Sequence, residues 1–302
     1  MTSAYPASGP ITLKANLGDH PATRALKAGE IKSDLVSFDF CGPKIANQGF
    51  KPMVREGKFD AGELAIVTFL QAKVYGKPLI LLPATVLGRF QQHTLLYNAD
   101  RGPLKPSDLN GRRVGLRSYT VTTATWVRGI LQHEYGVDPA RVTWVCSDDG
   151  HLAEYRDPPN VERTKPGAKP FVQMLLDGEI DAAVIPDAPQ DARIRPLIPD
   201  PQAAARAWYE KNKVVPINHL VAVQKPLADA RSDAVREIYR VLFESKKAAP
   251  PPADGIDFFP FGIEANRKSL ETIVQYAFEQ KVIPRKFEVD EVFAEAARIL
   301  GR

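Results

Sequence analysis

Cysteine is scarce in this chain. Cys41 and Cys146 are the two cysteines in 302 residues, and no CxxC or Cys/His spacing surrounds either of them. Structural zinc sites and redox dithiols depend on such spacing, so the sequence indicates neither. We expect both thiols to be free and buried in a reducing compartment.

Long apolar runs are also missing. No segment approaches the 18 or so apolar residues of a membrane span, and residues 1–20 lack a basic start followed by an apolar core. The sequence as given therefore predicts a cytoplasmic protein with no membrane partner, unless a leader was removed. The signature motifs of dinucleotide, P-loop, hydrolase-elbow and zincin chemistry are absent as well.

Neither sign of charge dominates, since 40 basic and 36 acidic residues leave a net charge of +4. The charges are interspersed without a run of lysine and arginine, so we expect no nucleic-acid partner. A mild positive balance suits a small anionic ligand. With 44% hydrophobic and 25% charged residues, the chain is long enough for two globular domains.

Strand-like and helix-like segments alternate along the chain, which favours an α/β fold. Turn residues at 100–103 and prolines within 193–201 indicate two crossings between lobes. We predict one lobe from residues 1–100 and 205–302, ending in two helices, and a second from 101–204. Two lobes joined in this way would enclose a ligand cleft at the carboxyl ends of their strands.

Residues 109–137 predict a strand, a polar loop and a helix, in that order. The loop is rich in hydroxyl groups, and Gly136 supplies the C-cap of the helix. Because a helix N-terminus offers unpaired amides and partial positive charge, we expect the loop to bind a carboxylate. The candidate contacts are Arg117, Ser118, Tyr119 and Thr122. The alternative is that Ser118, Thr122 or Thr123 only caps the helix.

Six separated blocks carry a family resemblance. They are Gly18–Leu26, Phe59–Leu64, Gly88–His93, Arg112–Tyr135, Pro216–His219 and Pro260–Arg267. In this order they resemble the 4,5-dihydroxyphthalate decarboxylase family over nearly the whole chain, which implies the type 2 periplasmic-binding-protein-like fold. The chain departs from the family at Gly62, where serine is common, and at Arg117, an extra cation that suggests a different ligand.

The resemblance implies non-oxidative, cofactor-independent decarboxylation of a hydroxylated aromatic (di)carboxylate such as 4,5-dihydroxyphthalate. That reaction needs a fixed carboxylate, an acid that protonates the ring carbon, and electron release from a phenolate. Arginine pairs bidentately with carboxylates, and imidazole titrates near neutrality. We therefore expect His219, His93 and Glu63 to be catalytic. Further expected substrate contacts are Asp19, His20, Thr23, Arg24, Arg89, Trp126 and Asp187.

Each of these assignments has a plainer alternative. Arg24 and Arg89 could form surface ion pairs, and His219 could be a core histidine bonded to backbone. Glu63 falls in the first turn of a predicted helix, where the macrodipole alone would explain an acid. Asp19 could cap a helix, Trp126 could pack in the core, and Asp187 could belong to a turn.

The opposing function is a non-catalytic solute-binding protein for a small anion. No ligand spacing in the sequence indicates a metal, and no other cofactor is expected. The expected partner is a small anionic aromatic carboxylate, and homo-oligomerisation is left open.

Overall fold

The computed structural model describes residues 5–252 and 254–301. In chain order its strands are β1 (Ile11–Asn16), β2 (Val36–Asp39), β3 (Ala61–Ala65), β4 (Leu79–Gly88), β5 (Leu95–Asn98), β6 (Arg113–Leu116), β7 (Thr143–Cys146), β8 (Val161–Arg163), β9 (Ala182–Val184), β10 (Ile194–Pro196) and β11 (Ile217–Gln224). Its α-helices are α1 (Arg24–Lys27), α2 (Phe50–Glu56), α3 (Ile66–Val74), α4 (Thr122–Tyr135), α5 (Phe171–Asp177), α6 (Pro201–Asn212), α7 (Lys225–Ala230), α8 (Ser232–Lys247), α9 (Ile263–Glu279) and α10 (Val289–Leu300).

The chain forms two compact α/β units. Unit 1 comprises Met1–Arg89, Ile217–Val274 and Arg285–Arg302, and unit 2 comprises Phe90–Pro216 and Gln275–Pro284. These bounds differ from the predicted ones at 100/101 and 204/205. The difference arises because β5 and β10, which the prediction gave to the first lobe and to a crossing, pair with each other in the sheet of unit 2.

The sheet of unit 1 has the strand order β2-β1-β3-β11-β4. Strand β1 runs parallel to β2 and β3, while β11 runs antiparallel to β3 and β4. Its apolar core joins sheet residues such as Leu82 and Val223 to Ile238 of α8 and Ile299 of α10. Helix α10 lies beyond the two helices that the sequence predicted at the end of the chain.

The sheet of unit 2 has the order β10-β5-β9-β6-β7-β8. Its centre is parallel, because β6 pairs with β7 and β9 in that sense, and β7 pairs with β8. Parallel strands with both faces covered are built from near-continuous apolar residues, as β7 and β9 are. Within the described residues, no helix is both long and apolar enough to cross a membrane.

Two local predictions are wrong. Glu63 lies in strand β3 and not in the first turn of a helix, because the helix begins three residues later at Ile66. All five residues of β3 are buried, so the strand lacks the alternation that would have revealed it. Of the two thiols, Cys146 is buried as expected, but Cys41 is exposed.

Candidate functional site

Glu63 is a buried acidic residue of unit 1, and its carboxylate is only 1% exposed. It lies in β3 opposite Val221 of β11, directly after Gly62, which pairs with Asn16 at the end of β1. A buried charge is costly unless hydrogen bonds and opposite charges compensate it. The contacts of Glu63 therefore define the candidate site.

Two imidazoles meet the same oxygen of Glu63. His20 Nε2 lies 2.6 Å from Glu63 Oε2, and His219 Nδ1 lies 3.4 Å from that oxygen. The second oxygen, Oε1, accepts a hydrogen bond of 3.0 Å from the amide of Gly18. His20 and His219 retain 18% and 15% side-chain exposure, so part of each imidazole is accessible to solvent. We call His20, Glu63 and His219 the carboxylate–imidazole cluster.

The charge state of Glu63 follows from these contacts. Burial by itself raises the pKa of the carboxyl group, but the hydrogen bonds from His20 and His219 outweigh burial and lower the pKa from 4.5 to about 2. Glu63 is therefore ionised at neutral pH. An ionised carboxylate accepts hydrogen bonds and donates none, so each imidazole nitrogen bonded to Glu63 is the donor.

Close packing fixes the geometry of the cluster. A Cβ atom at position 18 would lie 2.6 Å from His20 Nε2 and 2.7 Å from Glu63 Oε1, so any larger residue would displace the imidazole or the carboxylate. On the other side, the ring of Phe50 meets the ring of His219 edge-on, with centroids 4.9 Å apart. Gly18 opens the first block of the family resemblance, but neither its close packing nor the contact of Phe50 was predictable, since both depend on residues far away in the chain.

The cluster also has the composition of a metal site. One ligand atom from each of its three residues lies within 4.8 Å of the others, and two imidazoles with a carboxylate suit zinc and related ions. Sequence spacing could not reveal this set, because His20 and His219 lie 43 and 156 residues from Glu63.

Glycine residues pack closely against Asn16 at the end of strand β1, next to the strand that carries Glu63. Asn16 is buried, and its side chain donates a hydrogen bond of 2.9 Å to the carbonyl oxygen of Ala46. A Cβ atom on Gly62 would lie 2.6 Å from the carbonyl oxygen of Asn16. Gly62 thus permits the close pairing of β1 with β3, which carries Glu63.

The loop before α1 holds His20 in place. The hydroxyl of Thr23 accepts a hydrogen bond of 2.9 Å from the amide of His20 and donates one of 2.7 Å to the carbonyl of Gly18. Thr23, and not Asp19, is the N-cap residue of α1. Arg24 and Asp19 pair with each other at 3.1 Å, and both are 66% exposed, as in the surface ion pair that the sequence left open.

The predicted carboxylate loop lies in unit 2 and leads into α4 as expected. The N-cap residue of α4 is Val121, which makes no side-chain cap, so neither Ser118, Thr122 nor Thr123 is the N-cap. Ser118 Oγ is buried without a hydrogen-bond partner in the described part of the chain. Arg117 is half-buried, 3.9 Å from Asp148 and 3.4 Å from the ring of His151.

The remaining predicted site residues are scattered. Arg89 is half-buried after β4, at the end of the first segment of unit 1. His93 is half-buried in a short 3-10 turn of unit 2 and is not part of the carboxylate–imidazole cluster. Asp187 is exposed after β9. Trp126 is fully buried and packs edge-on against Trp208 and Tyr276, so its role is packing within unit 2.

Two curated relatives match most of the chain. The 4,5-dihydroxyphthalate decarboxylase of Comamonas testosteroni is 30% identical over 257 residues, covering 79% of this chain and 76% of its own. The protein of the same name from Pseudomonas putida is 28% identical over 211 residues, covering 66% and 81%. No family model matches the chain.

Solved structures share the fold. The periplasmic aliphatic sulphonate binding protein SsuA from Escherichia coli superimposes with a TM-score of 0.55 at 13% identity, covering 93% of this chain and 91% of its own. The alkanesulfonate-binding protein SsuA from Xanthomonas axonopodis pv. citri, bound to MOPS, gives 0.51 at 13% identity and covers 94% and 98%. The expected periplasmic-binding-protein-like fold is therefore confirmed.

Proposed function

The chain belongs to the 4,5-dihydroxyphthalate decarboxylase family, and from that premise we propose that it decarboxylates a hydroxylated aromatic dicarboxylate such as 4,5-dihydroxyphthalate without oxidation. The observation that carries the proposal is the carboxylate–imidazole cluster of His20, Glu63 and His219. It combines a buried anion with two partly exposed imidazoles, and side chains of these kinds can transfer protons to and from an aromatic substrate.

His219 is the proposed proton donor. Its Nδ1 makes only a long contact of 3.4 Å to Glu63, whereas His20 Nε2 is held at 2.6 Å. The more loosely held imidazole is better able to reorient toward a substrate atom.

The proposed reaction balances without an added oxidant or reductant. His219 gives its proton to the ring carbon that bears a carboxylate, while the phenolate para to that carbon supplies electron density. The bond from ring to carboxylate then breaks, carbon dioxide leaves, and the electron pair of that bond restores the aromatic ring. From 4,5-dihydroxyphthalate the product is 3,4-dihydroxybenzoate. His20, fixed by Glu63, would bind a ring hydroxyl and accept its proton.

Carboxylate anchoring is the proposed role of the loop before α4. Its buried Ser118 and the N-terminus of a 14-residue helix would provide a hydrogen-bond donor and partial positive charge. Arg117 and Arg89 remain the proposed arginine contacts, His93 remains a proposed second imidazole, and Asp187 a proposed contact.

The second candidate is a binding protein without chemistry. It is favoured by the fold shared with two sulfonate-binding proteins, although fold alone does not assign function. In this case the cluster would orient a bound anion and no bond would break.

One experiment separates the candidates. The purified chain is incubated with 4,5-dihydroxyphthalate and a panel of hydroxylated phthalates and benzoates, and carbon dioxide release is followed beside calorimetric binding. A parallel sample treated with a chelator reports whether a metal in the cluster takes part. Turnover of at least one catechol dicarboxylate supports the enzyme, whereas binding across the panel without turnover leaves the binding protein.

A further inference from the structure

A fully buried arginine lies in the middle of α4. Arg128 is 0% exposed, and no carboxylate lies within ion-pair distance of it among the described residues. Its Nη1 atom has no hydrogen-bond partner there. Burying a guanidinium without a counter-charge costs several kcal/mol, so a plain packing role would be better filled by an apolar side chain.

The bonds that Arg128 does make lead to the proposed carboxylate loop. Its Nη2 atom donates to the carbonyl oxygen of Tyr119 at 2.6 Å, and its guanidinium stacks on the Tyr119 ring, 3.9 Å from the centroid. Helical side chains lean toward the N-terminus of their helix, which carries this guanidinium from the second turn back to the loop. The contact joins the loop to the body of unit 2.

Gln280 completes the support from a second segment. It accepts a hydrogen bond of 2.7 Å from Arg128 Nε through its side-chain oxygen and donates one of 2.9 Å to the carbonyl of Thr125. Its own carbonyl accepts a hydrogen bond of 3.2 Å from the hydroxyl of Tyr119. Arg128 and Gln280 thus hold Tyr119 by its backbone and its ring, and with it the turn that contains Ser118.

The positive charge of Arg128 also favours anion binding by the loop. Burial lowers the pKa of Arg128, but a guanidinium stays protonated in proteins. Its positive charge and the partial positive charge at the N-terminus of α4 act in the same direction, since both favour an anion. Ser118 Oγ, buried and without a partner, lies in the same turn.

We propose that Arg128 is a positioning residue that holds the loop over residues 117–122 in its anion-binding form and supplies the positive potential for a substrate carboxylate. The inference rests on the proposed function for the role of the loop. Half-buried Arg117 would then be secondary, because Asp148 and His151 already contact it.

Phthalate is the probe for the test, because it has both carboxylates and no phenolate to drive turnover. Binding to the full chain is measured by calorimetry for the wild type, Arg128→Met and Arg128→Lys. Catechol, which carries the hydroxyls and no carboxylate, is the neutral probe. Arg128→Met should weaken phthalate binding by about tenfold or more and leave catechol binding within about twofold.

Arg231→Met is the matched control. Arg231 is equally buried but lies in unit 1, where it pairs with Asp233 and binds the carbonyls of Pro6 and Gly9. It should lose stability without losing phthalate affinity. Arg128→Lys keeps the charge but cannot bridge Tyr119 and Gln280 at once, so its affinity should fall between those of the wild type and Arg128→Met.

Kinetics on a turned-over substrate gives a second readout. Arg128→Met should raise KM more than it lowers kcat, since a carboxylate that is held in both ground and transition states contributes uniform binding. Phthalate affinity of Arg128→Met within twofold of the wild type would overturn the inference, as would an equal loss in Arg231→Met. If Arg128→Met does not fold, unchanged affinity in Arg128→Lys overturns it. A wild type that binds phthalate but turns nothing over contradicts the proposed reaction and leaves Arg128 testable.

Discussion

At the scale of single residues, the carboxylate of Glu63 contacts both imidazoles of the cluster in unit 1. Both rings meet one carboxylate oxygen, and the amide of Gly18 holds the other. The residue types were predictable, since histidine and glutamate stood out by chemistry. Their convergence was not, because the three side chains come from a loop and two strands that are distant in the sequence.

Replacing Glu63 tests the proton-transfer role directly. Glu63→Gln keeps the shape of the side chain but removes the negative charge that both imidazoles contact. We expect kcat to fall at least about tenfold, equivalent to roughly 1.4 kcal/mol of transition-state stabilisation. Steady-state kinetics of the variant checks this, and a kcat equal to that of the wild type would assign Glu63 a purely structural role.

His219→Gln should likewise lower kcat at least about tenfold if this imidazole is the donor. His133→Gln is the matched control, because His133 is exposed, pairs with Glu279 within unit 2 and is not part of the cluster. Equal kinetics for the two variants would argue against His219 as the acid.

The pH dependence of stability also belongs to Glu63. Its folded pKa, about 2, lies below the ordinary 4.5, so its ionisation stabilises the fold above pH 4.5. That contribution is lost as the pH falls from 4.5 toward 2. In urea titrations from pH 6 to pH 3, the wild type should lose unfolding free energy more steeply than Glu63→Gln. Parallel curves would contradict the lowered pKa.

At the scale of elements, the sequence pattern predicted amphipathic helices better than it predicted segments that are buried throughout. The sequence pattern predicted α4 and a pair of helices near the end of the chain, because the apolar residues of such helices recur on one face. It could not separate β3 from α3, since both are buried on every side. Arg128 fell on the apolar stripe of α4 with Ala124 and Leu131, and a charge in that register was the available signal for it.

Gly129→Ala tests the packing of α4 within unit 2. Alanine normally stabilises a helix by about 1 kcal/mol relative to glycine. Here a Cβ would overlap the ring of Tyr276, and overpacking costs about 1–3 kcal/mol, so the clash should prevail. Chemical denaturation should show a net loss of stability. The double variant with Tyr276→Leu should recover it, and a gain in the single variant would refute the contact.

Gly18→Ala tests the other close approach. The added methyl would press against His20 and Glu63, so turnover should fall while the secondary structure stays intact. Circular dichroism and kinetics on the same sample measure both properties. Unchanged turnover would mean that the cluster tolerates displacement and that its geometry is not critical.

At the scale of the whole molecule, the α/β class and the division into two units followed from the sequence pattern. The bounds did not, because short strands such as β5 and β10 gain their identity from pairing across about a hundred residues. Residues 275–284, taken by sequence as part of the first lobe, belong to unit 2 through contacts such as that of Gln280 with Arg128. Long-range pairing of this kind leaves no local trace in a single sequence.

The most direct test of decarboxylation by this chain is a proton NMR assay in D₂O. The purified protein is incubated with 4,5-dihydroxyphthalate, and the ring protons of substrate and product are followed. We predict formation of 3,4-dihydroxybenzoate with deuterium at the ring carbon that lost its carboxylate. Substrate that is bound but remains intact at all times would contradict catalysis and leave a binding protein.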